Sequence, residues 1–515
     1  MSINSKEDLI SVVNFLQELS CCTRCILRLI GTQITENGNP YLHPKEYLNK
    51  LVSQQILEDN IQNGISEPCV KKPKSNICPV CLDCFNQESI EIFAEGFKSL
   101  DINSYNYSNF SFNVSFPKCL SVRAHSMFLH LKDQFPKFHF GNLYDNKDGL
   151  NDILILEPHK IFRAAAIGTF SKILDKQYHP KSHLSFLISL AYENDNTEVE
   201  KMKHIIKTKL RKRETKVSRN NISECLKDTE DKMFKKHFLL PPQMPDKSVI
   251  LQKIDIITDP VYLGGRYLKF KRNVGQTPWV IDGVSVAEHN VQDILFDAIS
   301  NVLGFLKSNM TFTASGREDI DVRMLGQGRP FYVKIDNPRN RQFSSEQLQE
   351  IERQVIKSKM AAVIKLQTVF ASNLKIIKCG EASKKKTYRA LCKTTAPNIK
   401  DAISIINGQN GELKISQVTV MRVLHRRTLM AREKTIYEMK ATEILGYDDL
   451  FELEMVTQAG TYVKEFIHGD FERTHPNITS LVGCPTDIVA LDCIDIDLVW
   501  PEENYSNSVA QSINS

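Results

Sequence analysis

No apolar run in this chain of 515 residues reaches the ~18 residues that a membrane-spanning helix needs. The first residues, Met-Ser-Ile-Asn-Ser-Lys-Glu-Asp, lack the charged-then-apolar pattern of a secretory signal, so a protein of the nucleus or cytoplasm, or both, is expected. An excess of one charge is missing too. The net charge of +5 is small for the length, so only local basic runs can argue for nucleic acid. No internal repeat is visible, and the predicted strands and helices show no regular βαβ alternation, which points to an α+β fold. What is present is ample apolar material, 42% of the residues, enough for real cores in about three domains. Thirteen cysteines, an odd number without an export signal, read as reduced thiols plus a metal site.

Along the chain, the spacing of Leu9, Val12, Val13, Leu16 and Leu19 predicts a helix within a cysteine-bearing segment that ends near residue 90. Phe110, Phe112, Val114 and Phe116 alternate with strand period, predicting a strand within 108–122. A second strand is predicted over 183–192. The charge-dense stretch 193–236, with its basic run at 207–213, reads as helix or exposed connection. Pro241, Pro242 and Pro245 cannot lie inside a helix, so a domain boundary is expected there. The remainder, 246–502, reads as one larger domain with strands near 248–257, 310–314, 328–335, 387–393 and 451–457. A helix begins after Ser344, where Gln347 completes a capping box and Leu348, Ile351 and Val355 share one face. The Asn- and Ser-rich tail, 503–515, is predicted to be disordered.

Two C-x-x-C pairs stand out, Cys22 with Cys25 and Cys78 with Cys81. Each places two thiolates on one tight turn, half of a tetrahedral zinc shell, and together they would close a structural site. They are far more widely separated than in a compact zinc ribbon, and Cys21 and Cys84 leave the choice of ligands open on spacing alone. A zinc nucleobase deaminase is excluded. Its signature needs a proline before the cysteine pair and an H-x-E triplet; here the proline sits inside the pair and no H-x-E occurs.

The charged turn from Ser315 to Gly326 follows the predicted strand 310–314 and presents Arg317, Glu318, Asp319, Asp321 and Arg323. A carboxylate on such a turn can reach into a cleft, and a neighbouring arginine can hold it or bind phosphate. Read locally, such a charged turn is usually just a solvated loop. Lys384, Lys385, Lys386, Tyr388 and Arg389 mix cations with one aromatic, suited either to phosphates and a stacked base or to an exposed edge strand.

These motifs together resemble the Pus-ten family of tRNA pseudouridine synthases. The turn matches GREDxDVRxLGxGRPF, the active-site loop. Lys386-Thr387-Tyr388 matches the strand that carries the family's stacking tyrosine, and Gly460-Thr461-Tyr462-Val463-Lys464 its Gly-Thr-Tyr-apolar-Lys motif. Arg266, Tyr267, Lys269 and Arg272 fit R-Y-x-K-x-x-R ahead of Q-T-P-W, and Arg422 to Arg427 fit R-V-L-H-R-R. The resemblance is dense from Gly265 to Trp500. In the N-terminal half it covers the cysteine pairs and 115–123. It departs at Glu472, where the family usually has glycine.

The resemblance implies an enzyme that isomerises uridine to pseudouridine in tRNA, in the T-arm at uridine 54, uridine 55 or both. It implies Asp319 as the catalytic carboxylate and Tyr388 as the ring that stacks on uracil. Lys464 would be the cation paired with Asp319, since a nearby cation favours the ionised form a nucleophile needs. Arg317 would help hold the flipped nucleotide. RNA contacts are expected from Arg266, Tyr267, Lys269, Arg272, Lys386, Arg389, Arg426 and Arg427, and the metal ligands become Cys22, Cys25, Cys78 and Cys81, leaving Cys69 and Cys84 spare. Zinc would be structural, and catalysis would need no cofactor. The implied architecture is a four-cysteine module over 1–90, a THUMP-like RNA-binding accessory domain over 91–240, and a pseudouridine synthase domain over 246–502 with a central, mainly antiparallel sheet. A monomer acting on tRNA, with other structured RNAs as further candidates and no membrane, is expected. The rival reading is a non-catalytic RNA-binding adaptor using the same surfaces.

Overall fold

The structure, a computed structural model, describes residues 6–36, 38–59, 77–138, 140, 143–144, 155–210, 217–281, 283–377, 384–425 and 427–502. Cys69, Arg426, the end of the basic run at 211–213 and the tail 503–515 lie outside the described residues. The chain divides into two compact units, Met1–Thr258 and Asp259–Ser515.

In the first unit a four-stranded sheet runs β2-β1-β3-β4, with β1 at Asn109–Ser115, β2 at Gln177–Tyr178, β3 at Leu184–Ala191 and β4 at Ile250–Thr258. β1 pairs with β2 and β3 in parallel, and β3 with β4 antiparallel. The strand predicted over 108–122 stops at Ser115. Pro117 has no N–H for a ladder, and a helix, Cys119–Gln134, takes over, its first N–H at Cys119 donating 2.8 Å to the Asp195 carboxylate. The predicted boundary at 239–245 is also corrected. Strand β4 follows those prolines yet pairs along all of β3, so 248–257 belongs to the first unit. The four-cysteine segment is not a separate module either. Leu9, Leu16, Cys25, Cys81, Phe110, Phe162, Phe186 and Val249 belong to one continuous core.

The second unit is built on a ten-stranded sheet. Its strands, with a small hairpin beside it, are β5 (Val261–Lys269), β6 (Val280–Ile281), β7 (Val284–Ser285), β8 (Met310–Ala314), β9 (Arg323–Ile335), β10 (Ala361–Val369), β11 (Lys386–Thr394), β12 (Leu413–Val418), β13 (Ala431–Glu443), β14 (Leu450–Thr457), β15 (Thr474–His475) and β16 (Thr486–Ile496). The sheet order is β10-β5-β9-β16-β11-β14-β13-β12-β15, with β8 pairing β9; β6 and β7 form the separate hairpin. Every pairing in the large sheet is antiparallel except β9 with β16. The expected central, mainly antiparallel sheet is therefore present.

Two cores clad this sheet. One packs helices Val291–Leu303 and Ser345–Lys357 against β5, β9 and β10 through Leu295, Ile299, Ile351, Val355, Leu263 and Phe331. The second helix starts as expected. Ser344 and Gln347 cap each other at 3.3 and 2.9 Å, and Ile351 and Val355 are fully buried. The other core packs helices Ile399–Asn407 and Val463–His468 against β11 and β14 through Ile406, Phe466, Ala390 and Leu453. The motifs described above lie on β5 and β11 and on the segments that follow β5, β8, β12 and β14.

Candidate active site

The turn that follows β8 is set by backbone need. Gly316 has φ +80°, the left-handed region that glycine enters without strain, and the Ser315 N–H donates 2.9 Å to the Pro330 carbonyl on β9. Gly328, on β9, is equally constrained. At φ +72°, a Cβ there would meet the Tyr267 carbonyl oxygen at 2.7 Å.

Glu318 and Asp319 point to opposite destinations. The Glu318 side chain is 2% exposed and is anchored from three sides. Arg329 Nε donates to it at 2.8 Å, the Tyr267 hydroxyl at 2.8 Å, and Lys269 Nζ lies 3.8 Å away. Lys269 also donates to the carbonyls of Val274 at 2.8 Å and Asp319 at 3.0 Å, so it holds the turn's backbone from beneath. Gln276 closes the network, donating to the Tyr267 hydroxyl at 2.7 Å and the Gly316 carbonyl at 2.9 Å. Burial opposes the charge on Arg329, but the groups facing it, Glu318 foremost and then Tyr267, together outweigh burial and raise the guanidinium pKa. Burial, then the Glu318 charge, pushes the Tyr267 phenol well up.

Removing one partner of such a pair leaves an uncompensated buried charge, typically ~3–5 kcal/mol. Arg329→Met should therefore destabilise the second unit by about that amount in denaturant unfolding. A loss below ~1 kcal/mol would show that Tyr267 and Lys269 satisfy Glu318 without Arg329.

Asp319 turns outward into a cavity of about 490 Å³ that is also lined by Trp279, Arg317, Tyr388, Arg422 and Lys464. These side chains come from separate segments. Trp279 precedes β6, Tyr388 is on central strand β11 opposite Met455 and Cys493, Arg422 lies in the turn Met421–Val423 after β12, and Lys464 is in the first turn of helix Val463–His468. Tyr388 is half-buried, and burial raises its phenol pKa, so the ring is present as a neutral phenol. Arg317 is exposed and sits 5.8 Å from the Trp279 ring centroid.

The cation expected at Asp319 is not Lys464 alone. Lys464 Nζ lies 3.4 Å from Asp319 Oδ2, but its nearest partner is Asp321 at 2.7 Å. Burial pushes the Asp321 carboxyl up, yet the Lys464 bond and the charges of Lys464 and Arg422 win, holding it below the usual carboxylate range. The shortest ion pair of Asp319 is with Arg422, Nη1 to Oδ2 at 2.8 Å. Sequence reading put the arginines of this segment on phosphates and overlooked Arg422. Its only signal was membership of R-V-L-H-R-R.

The expected RNA contacts divide sharply. Arg266, Tyr267 and Lys269 are corrected from surface to interior. β5 lies between β10 and β9, and its residues are covered on both faces. Arg266 spends its guanidinium on carbonyls of Gln327 at 2.6 Å, Leu498 at 2.7 Å and Gly328 at 3.0 Å. Arg272 is tied to Asp492 at 2.7 Å and to the Leu491 carbonyl at 2.6 Å. Arg389 faces away from the cavity and pairs with Glu452 at 3.4 Å and Glu454 at 3.2 Å. Lys386, buried, and Arg427, exposed, both line the cavity. The departure at Glu472 has a conformational side. Asp470, Phe471 and Glu472 have φ of 49°, 54° and 65°, so the site where the family usually has glycine is left-handed.

In the first unit, the thiols of Cys22, Cys25, Cys78 and Cys81 lie within 4.8 Å of one another, with Cys22 and Cys81 sulfurs 3.6 Å apart. Four sulfurs at ~2.3 Å from one zinc would be spaced much like this, so the donor set and its size fit a tetrahedral metal site. Cys22 precedes helix Thr23–Leu29, and Cys25 lies in its first turn. Arg24 ties this segment to the second pair, donating to the carbonyls of Tyr41 at 2.8 Å and Phe85 at 2.5 Å. Among the described residues, no helix is long and apolar enough to cross a membrane.

Comparison with known proteins identifies the family. The family model described as Pus10, C-terminal, matches residues 262–497, and that described as Eukaryotic Pus10, N-terminal, matches 78–256. The Mus musculus protein named tRNA pseudouridine synthase Pus10 is 32% identical over 532 residues, 95% of this chain and 97% of that one. The Homo sapiens protein of that name is 31% identical over 530 residues, again 95% and 97%. A Methanopyrus kandleri relative of the same name, 32% identical, aligns over 49% of this chain and 62% of its own. A chain of a solved Cbf5–Nop10–Gar1 complex matches at a TM-score of 0.25 and 16% identity, over 45% of this chain and 48% of that one, too slight a likeness to argue from. With relatives above 30% identity aligned over nearly their whole length, the chain belongs to the Pus10 family of tRNA pseudouridine synthases.

Proposed function

We propose that this protein isomerises uridine to pseudouridine in the T-arm of tRNA, at uridine 54, uridine 55 or both. The observation that carries the reading is the convergence of Asp319, Tyr388 and Lys464, from distant segments, on one cavity with Arg317 at its edge. The glycosidic C–N bond breaks, the uracil rotates, and a C–C bond to the ribose forms as the displaced proton moves from carbon to nitrogen. The product is an isomer, so the reaction consumes no redox equivalent or nucleotide. Asp319 acts at the ribose as nucleophile or base. Tyr388 offers its ring to the uracil, and Arg317 steadies the flipped nucleotide. A base must first leave its stack, which costs a few kcal/mol and least in a loop. Lys386 and Arg427, on the cavity wall, are suited to neighbouring phosphates.

On the same reading the four cysteines hold one structural zinc, which supplies folding energy to the first unit and no step of the chemistry. A THUMP-like, RNA-binding role for the accessory region, with tRNA as partner, is supported by the family resemblance, and action in the nucleus or cytoplasm by the reading of the thirteen cysteines as reduced thiols.

The test is to incubate purified protein with an unmodified tRNA transcript and map pseudouridine by carbodiimide-dependent primer-extension stops. A new stop in the T-arm is expected. Binding without any stop would favour the non-catalytic adaptor, and stops confined to another arm would refute the T-arm assignment.

A further inference from the structure

Arg422 stands between two carboxylates of unequal exposure. Its Nη1 donates to Asp319 Oδ2 at 2.8 Å, and its Nε donates to Glu465 Oε1 at 2.6 Å. The Glu465 side chain is 3% exposed, and its second oxygen, Oε2, is buried without a hydrogen-bond partner. A carboxylate kept in that state depends heavily on the one cation it has. The guanidinium also lies 5.6 Å from the Tyr462 ring centroid. The backbone that carries it is pinned as well, for the Met421 N–H donates 3.0 Å to Asp470 Oδ2. Every feature around Arg422 thus fixes where its outer edge points, and that edge points at Asp319.

We propose that Arg422 is the positioning residue for Asp319, with Glu465 as its buried anchor. This rests on the reading of Asp319 as the reacting carboxylate. Lys464 and Glu465 are adjacent on one helix, so their side chains diverge. Lys464 goes first to Asp321, and Glu465 reaches Asp319 through Arg422. Both cations that touch Asp319 do so at Oδ2, which leaves Oδ1 as the oxygen available to the ribose. Only a guanidinium can span two carboxylates with separate N–H edges; an ammonium is a point charge.

The experiment measures kcat and KM for full-length wild type, Arg422→Ala, Arg422→Lys and Glu465→Gln on unmodified tRNA, with thermal melts to confirm folding. Misplacing a reacting group by about 1 Å can slow a reaction ~10²-fold. Arg422→Ala should lower kcat by roughly that factor with KM little changed. Arg422→Lys should recover only part of the loss, and Glu465→Gln should lower kcat with Arg422 intact. Millimolar guanidinium should restore turnover to Arg422→Ala, and urea at the same concentration should not. Normal kcat with a raised KM would make Arg422 an RNA contact and overturn the proposal, as would full activity in Arg422→Lys or the lack of guanidinium rescue in a folded Arg422→Ala. If wild type itself forms no pseudouridine, the functional reading fails instead, and the two outcomes stay distinct.

Discussion

Asp319→Asn is expected to abolish pseudouridine formation, lowering turnover by at least ~10⁴-fold, the scale seen when a reacting group is removed from a site otherwise intact. The substitution is nearly isosteric. Its side chain is 40% exposed, so no buried charge is stranded and the fold should hold. Arg422 would still be held by Glu465, and Lys464 by Asp321. Affinity for tRNA should therefore stay near wild type, since the cations and Tyr388 that would meet the RNA remain in place. The comparison variant is Asp321→Asn. Asp321 shares Lys464 with Asp319 on the same turn, so it is the alternative candidate for the reacting carboxylate. If primer extension shows Asp319→Asn turning over at a rate comparable to wild type while Asp321→Asn is dead, the roles are reversed.

The site was legible in the sequence where a motif could be matched residue by residue, and illegible where tertiary placement decides. Three short motifs carried Asp319, Tyr388 and Lys464, which the structure brings to one cavity, and strand β8 with the glycine that ends it was visible from local chemistry. The buried half of the site was not. Arg266, Tyr267 and Lys269 have the composition of a phosphate-binding strand, and nothing local reveals that β5 is covered on both faces. Burial inverts the meaning of the same residues. A lysine that would neutralise a phosphate in solvent instead props the turn after β8 through two of its backbone carbonyls, those of Asp319 and Ile320. Glu318 held a clue that was missed, because a carboxylate beside Asp319, if buried, needs a cation. Arg329, in the same matched motif, supplies it. Arg422 was harder, since its partner Glu465 lies 43 positions along the chain and its other partner Asp319 lies 103 positions back. In the first unit the proline cluster misled for a related reason. Prolines end helices, but a strand can follow them and return to the same sheet, as β4 does beside β3.

That continuous first-unit core decides what metal loss should do. Cys25, Cys78 and Cys81 are part of the core that runs from Leu9 to Val249, so the cysteine site does not stabilise a detachable module. A structural zinc contributes an apparent ~10–16 kcal/mol in zinc-finger peptides, comparable with or larger than the ~5–15 kcal/mol net stability of a typical domain. Elemental analysis of protein purified without added zinc should therefore find about one equivalent per chain. Cys78→Ser should lose that zinc and unfold the first unit well beyond the cysteine segment, exposing β1 and β3 to hydrogen exchange. The second unit has its own cores around β5, β9, β11 and β14 and should keep its protection. Exchange measured by mass spectrometry separates these regions. Protein free of zinc, a Cys22–Cys25 disulfide, or a Cys78→Ser chain whose β1 and β3 stay protected would each reject the structural metal. Lost protection confined to residues before 90 would instead restore the separate module that the sequence predicts.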